Sequence, residues 1–263
     1  MKITAALAAT VLGFASALPA TQQQSPAKRQ TQGVVNNCSK PSTMAITYDD
    51  GPYQWDYNVN DQFNAVNGKT TYFVNGYNWG CIYSEENVSH LRALYENGHQ
   101  IASHTWGHVH LTQLTNEEID TQVQLVEDAL WKILGVVPKY IRPPYGEVDD
   151  RVVQHLHDRW GLVVVNWSDD SQDALGASDQ EILDMYNGFA ADSSQSHLVL
   201  NHAVHEPASH LPQIYVPQMQ NAGYSLETVA SCLNDNPYKV VGGYSPRDDS
   251  WTCVGTPEPG AAQ

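Results

Sequence analysis

Residues able to do chemistry are gathered in five short segments of this chain. His104 and His108 stand four apart. With one carboxylate, such a pair supplies three ligands to a divalent ion and leaves a position open for water, which is what a catalytic metal needs. A vicinal carboxylate pair, Asp49-Asp50, lies upstream, and Arg142-Pro143-Pro144-Tyr145-Gly146, Asp170-Ser171-Gln172-Asp173 and Asn201-His202 follow downstream. Each has an ordinary reading when taken alone: an Asp-Asp pair is usually a turn or a helix cap, and spaced histidines are often surface residues. Their placement changes that weight, because every segment closes a short apolar run.

Those runs read as strands at Met44 to Thr47, Thr71 to Val74, His99 to Ala102, Tyr140 to Arg142, Leu162 to Val165 and Leu198 to Leu200. Helical patterns alternate with them. Thr115 and Glu118 form a capping box ahead of Ile119, Val123, Val126, Leu130 and Ile133, and Gly135 is the expected stop. A second capping box, Ser178 with Glu181, opens a helix expected to end near Gly188, and Leu91, Leu94 and Tyr95 mark another before Gly98. Alternation of this kind predicts an α/β fold, a distorted (β/α) barrel with parallel strands, whose active site lies at the C-terminal strand ends. The Pro/Gly-rich end, 255–263, reads as a disordered tail.

In these segments the chain resembles the polysaccharide deacetylases of carbohydrate esterase family 4, over residues 42–230. The family's first three motifs are Thr-Phe-Asp-Asp-Gly-Pro, His-Ser/Thr-x-x-His and Arg-Pro-Pro-Tyr-Gly, and this sequence departs only by Tyr48 for Phe. The resemblance implies that Asp50, His104 and His108 bind a metal, zinc first and cobalt or another divalent ion otherwise. It implies Asp49 as general base, aimed by Arg142, with the Tyr145 backbone N–H as an oxyanion donor. His202, kept protonated by Asp173, would be the acid that protonates the leaving amine. Leu200 would line the acetyl pocket together with Tyr145.

Departures fall in the fourth and fifth motifs. Asp170 and Asp173 are kept, but Ala174 stands where the family commonly has Trp, which removes one wall of the acetyl-methyl pocket. Ala203 follows His202 where the family often has Asp, while Val204-His205 keeps the usual pattern. His197, His205 and His210 read as structural or surface residues. Tyr53 to Tyr57, Tyr77 and Trp79 are candidates for stacking on sugar rings or for ordinary packing. The implied activity is removal of N-acetyl groups from N-acetylglucosamine units of chitin or chitooligosaccharides. An acetylxylan esterase or other polysaccharide deacetylase uses the same motifs. A carbohydrate-binding pseudoenzyme is the alternative of another class, although it would need neither Asp49 nor His202.

Composition is consistent with such a substrate. The formal charge is −16, and cleavage after the pair Lys28-Arg29 would remove three more basic residues and no acid. Nucleic acid is excluded as a partner by that field, whereas a neutral polysaccharide is indifferent to it. Lys2, the apolar run Ile3 to Phe14 and Ala15-Ser16-Ala17 read as a signal peptide over 1–17, with 18–29 a propeptide. Secretion to the medium or cell wall follows, as a monomer with no membrane span; these features and the chain size further resemble fungal chitin deacetylases. Four cysteines then suggest two disulfides. Three pairings are open, and closing the ends of the fold favours Cys38 with Cys232 and Cys81 with Cys253. Sequons begin at Asn37, Asn87 and Asn166, the last following a buried-looking strand.

Overall fold

The structure, a computed structural model, describes residues 33–260. The signal-peptide and propeptide readings, and the last three residues of the tail, lie outside the described residues. The strands are β1 (Val34–Val35), β2 (Thr43–Asp49), β3 (Thr71–Val74), β4 (Gln100–Ser103), β5 (Val136–Pro138), β6 (Tyr140–Ile141), β7 (Val163–Val165), β8 (Asp169–Asp170), β9 (His197–His202), β10 (Ser225–Leu226) and β11 (Tyr238–Val241). The helices are α1 (Asp56–Ala65), α2 (Glu85–Glu96), α3 (Asn116–Leu134), α4 (Asp150–Trp160), α5 (Asp179–Ala191), α6 (Pro212–Asn221) and α7 (Val229–Cys232).

Strands pair in the order β1-β7-β6-β4-β3-β2-β9-β8, with β10 added to β2, and every pairing in this sheet is parallel. The path runs from β1 to β8 as an open, distorted (β/α) barrel, the fold class expected. A separate antiparallel pair joins β11 to β5. Elements outside the 42–230 span therefore also take part, since Val34–Val35 extends the main sheet and β11 lies beyond residue 230.

Local chemistry explains the clearest elements. All seven residues of β2 are buried, as a central parallel strand covered on both faces requires. Helix α3 carries the predicted capping box, and its Gly135 adopts φ 70°, the left-handed stop for which glycine is suited. The apolar residues at helical spacing on α3 are all buried. Helix α5 starts at the predicted Ser178 cap but passes through Gly188 to Ala191, so that glycine is not its end. Its Tyr186 packs ring on ring against Tyr215 of α6 at 4.0 Å, and this interior packing carries the helix on.

The Tyr48 departure is absorbed in the same place. Its hydroxyl, fully buried, meets the Tyr215 hydroxyl at 2.5 Å, so the added polar atom has a partner rather than a desolvation penalty.

Both bridges have the favoured pairing, Cys38–Cys232 and Cys81–Cys253. The first joins positions 194 residues apart and fastens α7 beside the start of the sheet. Closing so long a loop restricts the unfolded chain strongly. Replacing both Cys38 and Cys232 with Ala is expected to lower the unfolding free energy by about 2–5 kcal/mol. Urea titration reads this, and a change below about 1 kcal/mol would show that the bridge contributes little.

Candidate active site

Parallel strands bring their C-terminal ends to one rim, and the five segments meet there. Asp49 ends β2 and pairs in register with His202 at the end of β9. The Asp49 carboxylate accepts a hydrogen bond from Arg142 at 2.7 Å. Arg142 is itself completely buried, donating also to Thr47 Oγ1 and to the Asn166 carbonyl, with its guanidinium 4.1 Å over the Phe73 ring. Burial raises the Asp49 carboxyl above its ordinary value, opposed by the charges of Arg142 and His202. The result is a carboxylate made more basic by its surroundings and aimed by one fixed donor.

Asp50 follows the last residue of β2 with a left-handed backbone, φ 71°, and both carboxylates reach His104, whose Nε2 is 3.7 Å from Asp49 Oδ2. Asp50 Oδ1 lies 3.5 Å from His104 Nε2 and 3.4 Å from His108 Nε2, and is buried without a hydrogen-bond partner. Those separations are long for hydrogen bonds. They match the spacing of atoms around one tetrahedral centre, since ligands 2.0–2.1 Å from zinc stand roughly 3.3 Å apart. His104 Nδ1 is 2.7 Å from the Arg142 carbonyl, so that nitrogen carries the proton and Nε2 presents its lone pair. Burial lowers both imidazoles to about 3, which keeps them neutral. Burial, opposed by His202 and reinforced by Asp49 and Asp173, pushes the Asp50 carboxyl up to about 7. A cation between these three groups relieves an otherwise costly buried carboxylate, so the donor set fits a divalent ion.

His202 stands beside this triad, held twice by one carboxylate. Its Nδ1 is 2.7 Å from Asp173 Oδ1, and its backbone N–H donates to Asp173 Oδ2 at 2.7 Å. Burial pulls the imidazole down, but Asp173 outweighs it and pushes the group up to about 9. Tyr145 adopts φ 60° in a tight 3-10 turn; its ring lies 4.7 Å from that of His108 and stacks on His110 at 4.0 Å. Leu200 is buried in β9, two residues before His202.

The departures have visible outcomes. The Ala174 N–H donates to Asp173, and the next residue, Leu175, is 79% exposed, so no large side chain of that segment packs there. His197 pairs with Asp169 and His210 with Asp179 and Glu206, whereas His205 lies edge-on to His202 at 5.4 Å, closer to the site than a surface reading suggested. Supporting residues were missed from the sequence. Thr47 anchors Arg142, and the Asn75 side chain donates to the carbonyls of His104 and Thr105. Thr47 heads the first motif but no role was read from it there, and Asn75 is marked only by its position just past β3. Of the sequons, the Asn166 side chain donates to the Gly146 carbonyl in the wall of the site, and Asn37 is exposed.

The family model described as polysaccharide deacetylase matches residues 36–164. A chitin deacetylase of Pestalotiopsis sp is 35% identical over 95% of this chain and 86% of its own length. The solved chitin deacetylase of the fungal pathogen Colletotrichum lindemuthianum superposes with a TM-score of 0.73 at 29% identity, covering 80% of this chain and 96% of that one. A family pseudoenzyme from Bacillus anthracis shares the fold, with a TM-score of 0.64 at 16% identity over 80% of this chain and 69% of that one. The fold alone is thus compatible with a site that does no chemistry.

Proposed function

The chain belongs to the polysaccharide deacetylase family, and on that premise we propose that it hydrolyses the N-acetyl group of N-acetylglucosamine units in chitin or chitooligosaccharides, giving acetate and a free amine. The observation that carries this reading is the registered pair Asp49 and His202, two oppositely charged proton-transfer groups beside a ligand triad. A binding module has no use for both.

Asp50, His104 and His108 would hold the divalent ion, zinc by the chemistry of two neutral imidazoles and one carboxylate. What such an ion supplies is polarisation of the acetyl carbonyl and a lower pKa for the attacking water. Asp49 takes the water's proton, and Arg142 keeps that carboxylate oriented and charged. Charge then develops on the former carbonyl oxygen, where the Tyr145 backbone N–H would donate. His202, protonated through Asp173, gives its proton to the amine as the C–N bond breaks. Leu200 lines the acetyl side of the pocket with Tyr145.

The leader and processing site belong to the same proposal: the chain is exported, trimmed after Arg29 and works as a secreted monomer whose catalytic residues lie within 42–230. Two disulfides fit an oxidising compartment. No helix among the described residues is long and apolar enough to cross a membrane. The test is acetate release from chitin oligomers, acetylxylan and peptidoglycan, each with and without a chelator and after zinc is restored. Chelator-sensitive release from the chitin oligomers is expected. Release confined to acetylxylan would overturn the substrate, and release from none would leave the pseudoenzyme reading.

A further inference from the structure

The loop Trp106-Gly107-His108 that carries one of the three proposed ligands is held in an unfavourable backbone shape. Thr105 has φ 71° and His108 φ 53°, left-handed values that cost non-glycine residues of order 1–3 kcal/mol and persist only where neighbours enforce them. From the barrel side the enforcing contacts are clear. Asn75 caps the carbonyls of His104 and Thr105, Gln122 accepts from the Gly107 N–H at 2.8 Å, and the Tyr145 hydroxyl donates to the His108 carbonyl.

Contacts on the other side come from a segment that the sequence reading assigned to a loose tail. The Gly260 N–H donates to the Gly107 carbonyl. A side chain added at Gly260 would put its Cβ 2.7 Å from the His108 carbonyl oxygen and 3.0 Å from that of Gly107, so the two backbones are in close contact. Gly107 in turn faces the Glu258 carbonyl, 3.1 Å from where its own Cβ would be. Four residues earlier, Thr256 accepts from the Trp106 indole N–H at 3.1 Å and donates to the Cys253 carbonyl at 2.7 Å. The Cys81–Cys253 bridge fixes the start of the segment. Residues 253–260 thus form a strap, covalently anchored at one end and seated on the His108 loop at the other.

We propose that this strap is a positioning element for the metal site: by seating on the backbone of Gly107 and His108 it keeps the His108 imidazole in ligand geometry, so cation affinity depends on it. The proposal rests on the reading of His108 as a ligand. Groups that only orient a ligand commonly change metal affinity by about 10- to 100-fold when removed.

The test loads the full chain with zinc and measures the dissociation constant by competition with a chromogenic chelator. Gly260→Ala introduces the close carbonyl contact, and Thr256→Val removes the indole's acceptor with little change of shape. Each is expected to weaken zinc binding about tenfold or more. Val254→Ser, at an 87% exposed position of the same strap, should leave it unchanged. His108→Ala is run beside them. If His108→Ala fails to weaken binding, the ligand assignment itself is wrong. If it does weaken binding while Gly260→Ala and Thr256→Val stay within twofold of the parent, the strap is overturned and the ligand set stands. Should Gly260→Ala lose its folded circular dichroism, Thr256→Val decides alone.

Discussion

Asp49→Asn is expected to lower kcat on an N-acetylated chitin oligomer by about 10²- to 10⁴-fold, the range a general base commonly contributes. Zinc affinity in that variant should stay within a few-fold of the parent, because none of the three proposed ligands is touched. Asp50→Ala and His104→Ala give the opposite signature, in which affinity and activity fall together as three protein ligands become two. The Asp49 variant also takes the charged partner from a completely buried arginine. Breaking a buried pair costs about 3–5 kcal/mol, and asparagine should cost less because its carbonyl oxygen can still accept from Arg142. Rates must therefore be measured where circular dichroism shows the chain folded. Loss of zinc in Asp49→Asn equal to that in Asp50→Ala would place Asp49 among the ligands and end its assignment as the base.

How much of this was legible in the sequence depended on whether a residue's job was local. Asp49, Asp50, His104 and His108 stood out because each ends a buried run, and parallel strands gather such ends at one rim. Helix α3 was legible from its own cap, stripe and stop. Helix α1 was not, because its buried face mixes Val59 and Phe63 with Asp56 and Asn60, which blurs the apolar period. Helix α6 opens with Pro212, which suits a first turn, but Pro217 in its interior argues against a helix locally; packing of Tyr215, Val216 and Met219 overrides it. Of the four two-residue strands, β6 was legible from its apolar run, whereas β1, β8 and β10 are defined by their pairing partners. The strap at 253–260 is the sharpest case, since Pro and Gly read as disorder when the loop they seat on, Trp106 to His108, lies about 150 positions away.

Asp173→Asn should move the alkaline limb of the pH-rate profile. His202 is held at about 9, against an ordinary 6.5, by Asp173 working against burial. An acid must be protonated to act, so wild-type activity is expected to fall as pH rises through about 9. Without the carboxylate, burial is left less opposed and the imidazole returns toward its ordinary value or below. For a return to 6.5 alone, the protonated fraction at pH 8 drops about 30-fold, and the amide rate with it. The same raised pKa makes the pair a stabilising contact that is complete below about 6.5 and lost as pH rises through about 9, so thermal stability of the wild type should decline over that window and that of Asp173→Asn should not. An O-acetyl ester separates the acid's role from general damage, because an alcohol leaves with less help than an amine does. The profile of each protein is therefore taken on an N-acetylated oligomer beside an O-acetyl ester. Equal loss on both substrates with the alkaline limb unmoved would mean that Asp173 does not tune His202, and that the leaving amine obtains its proton elsewhere.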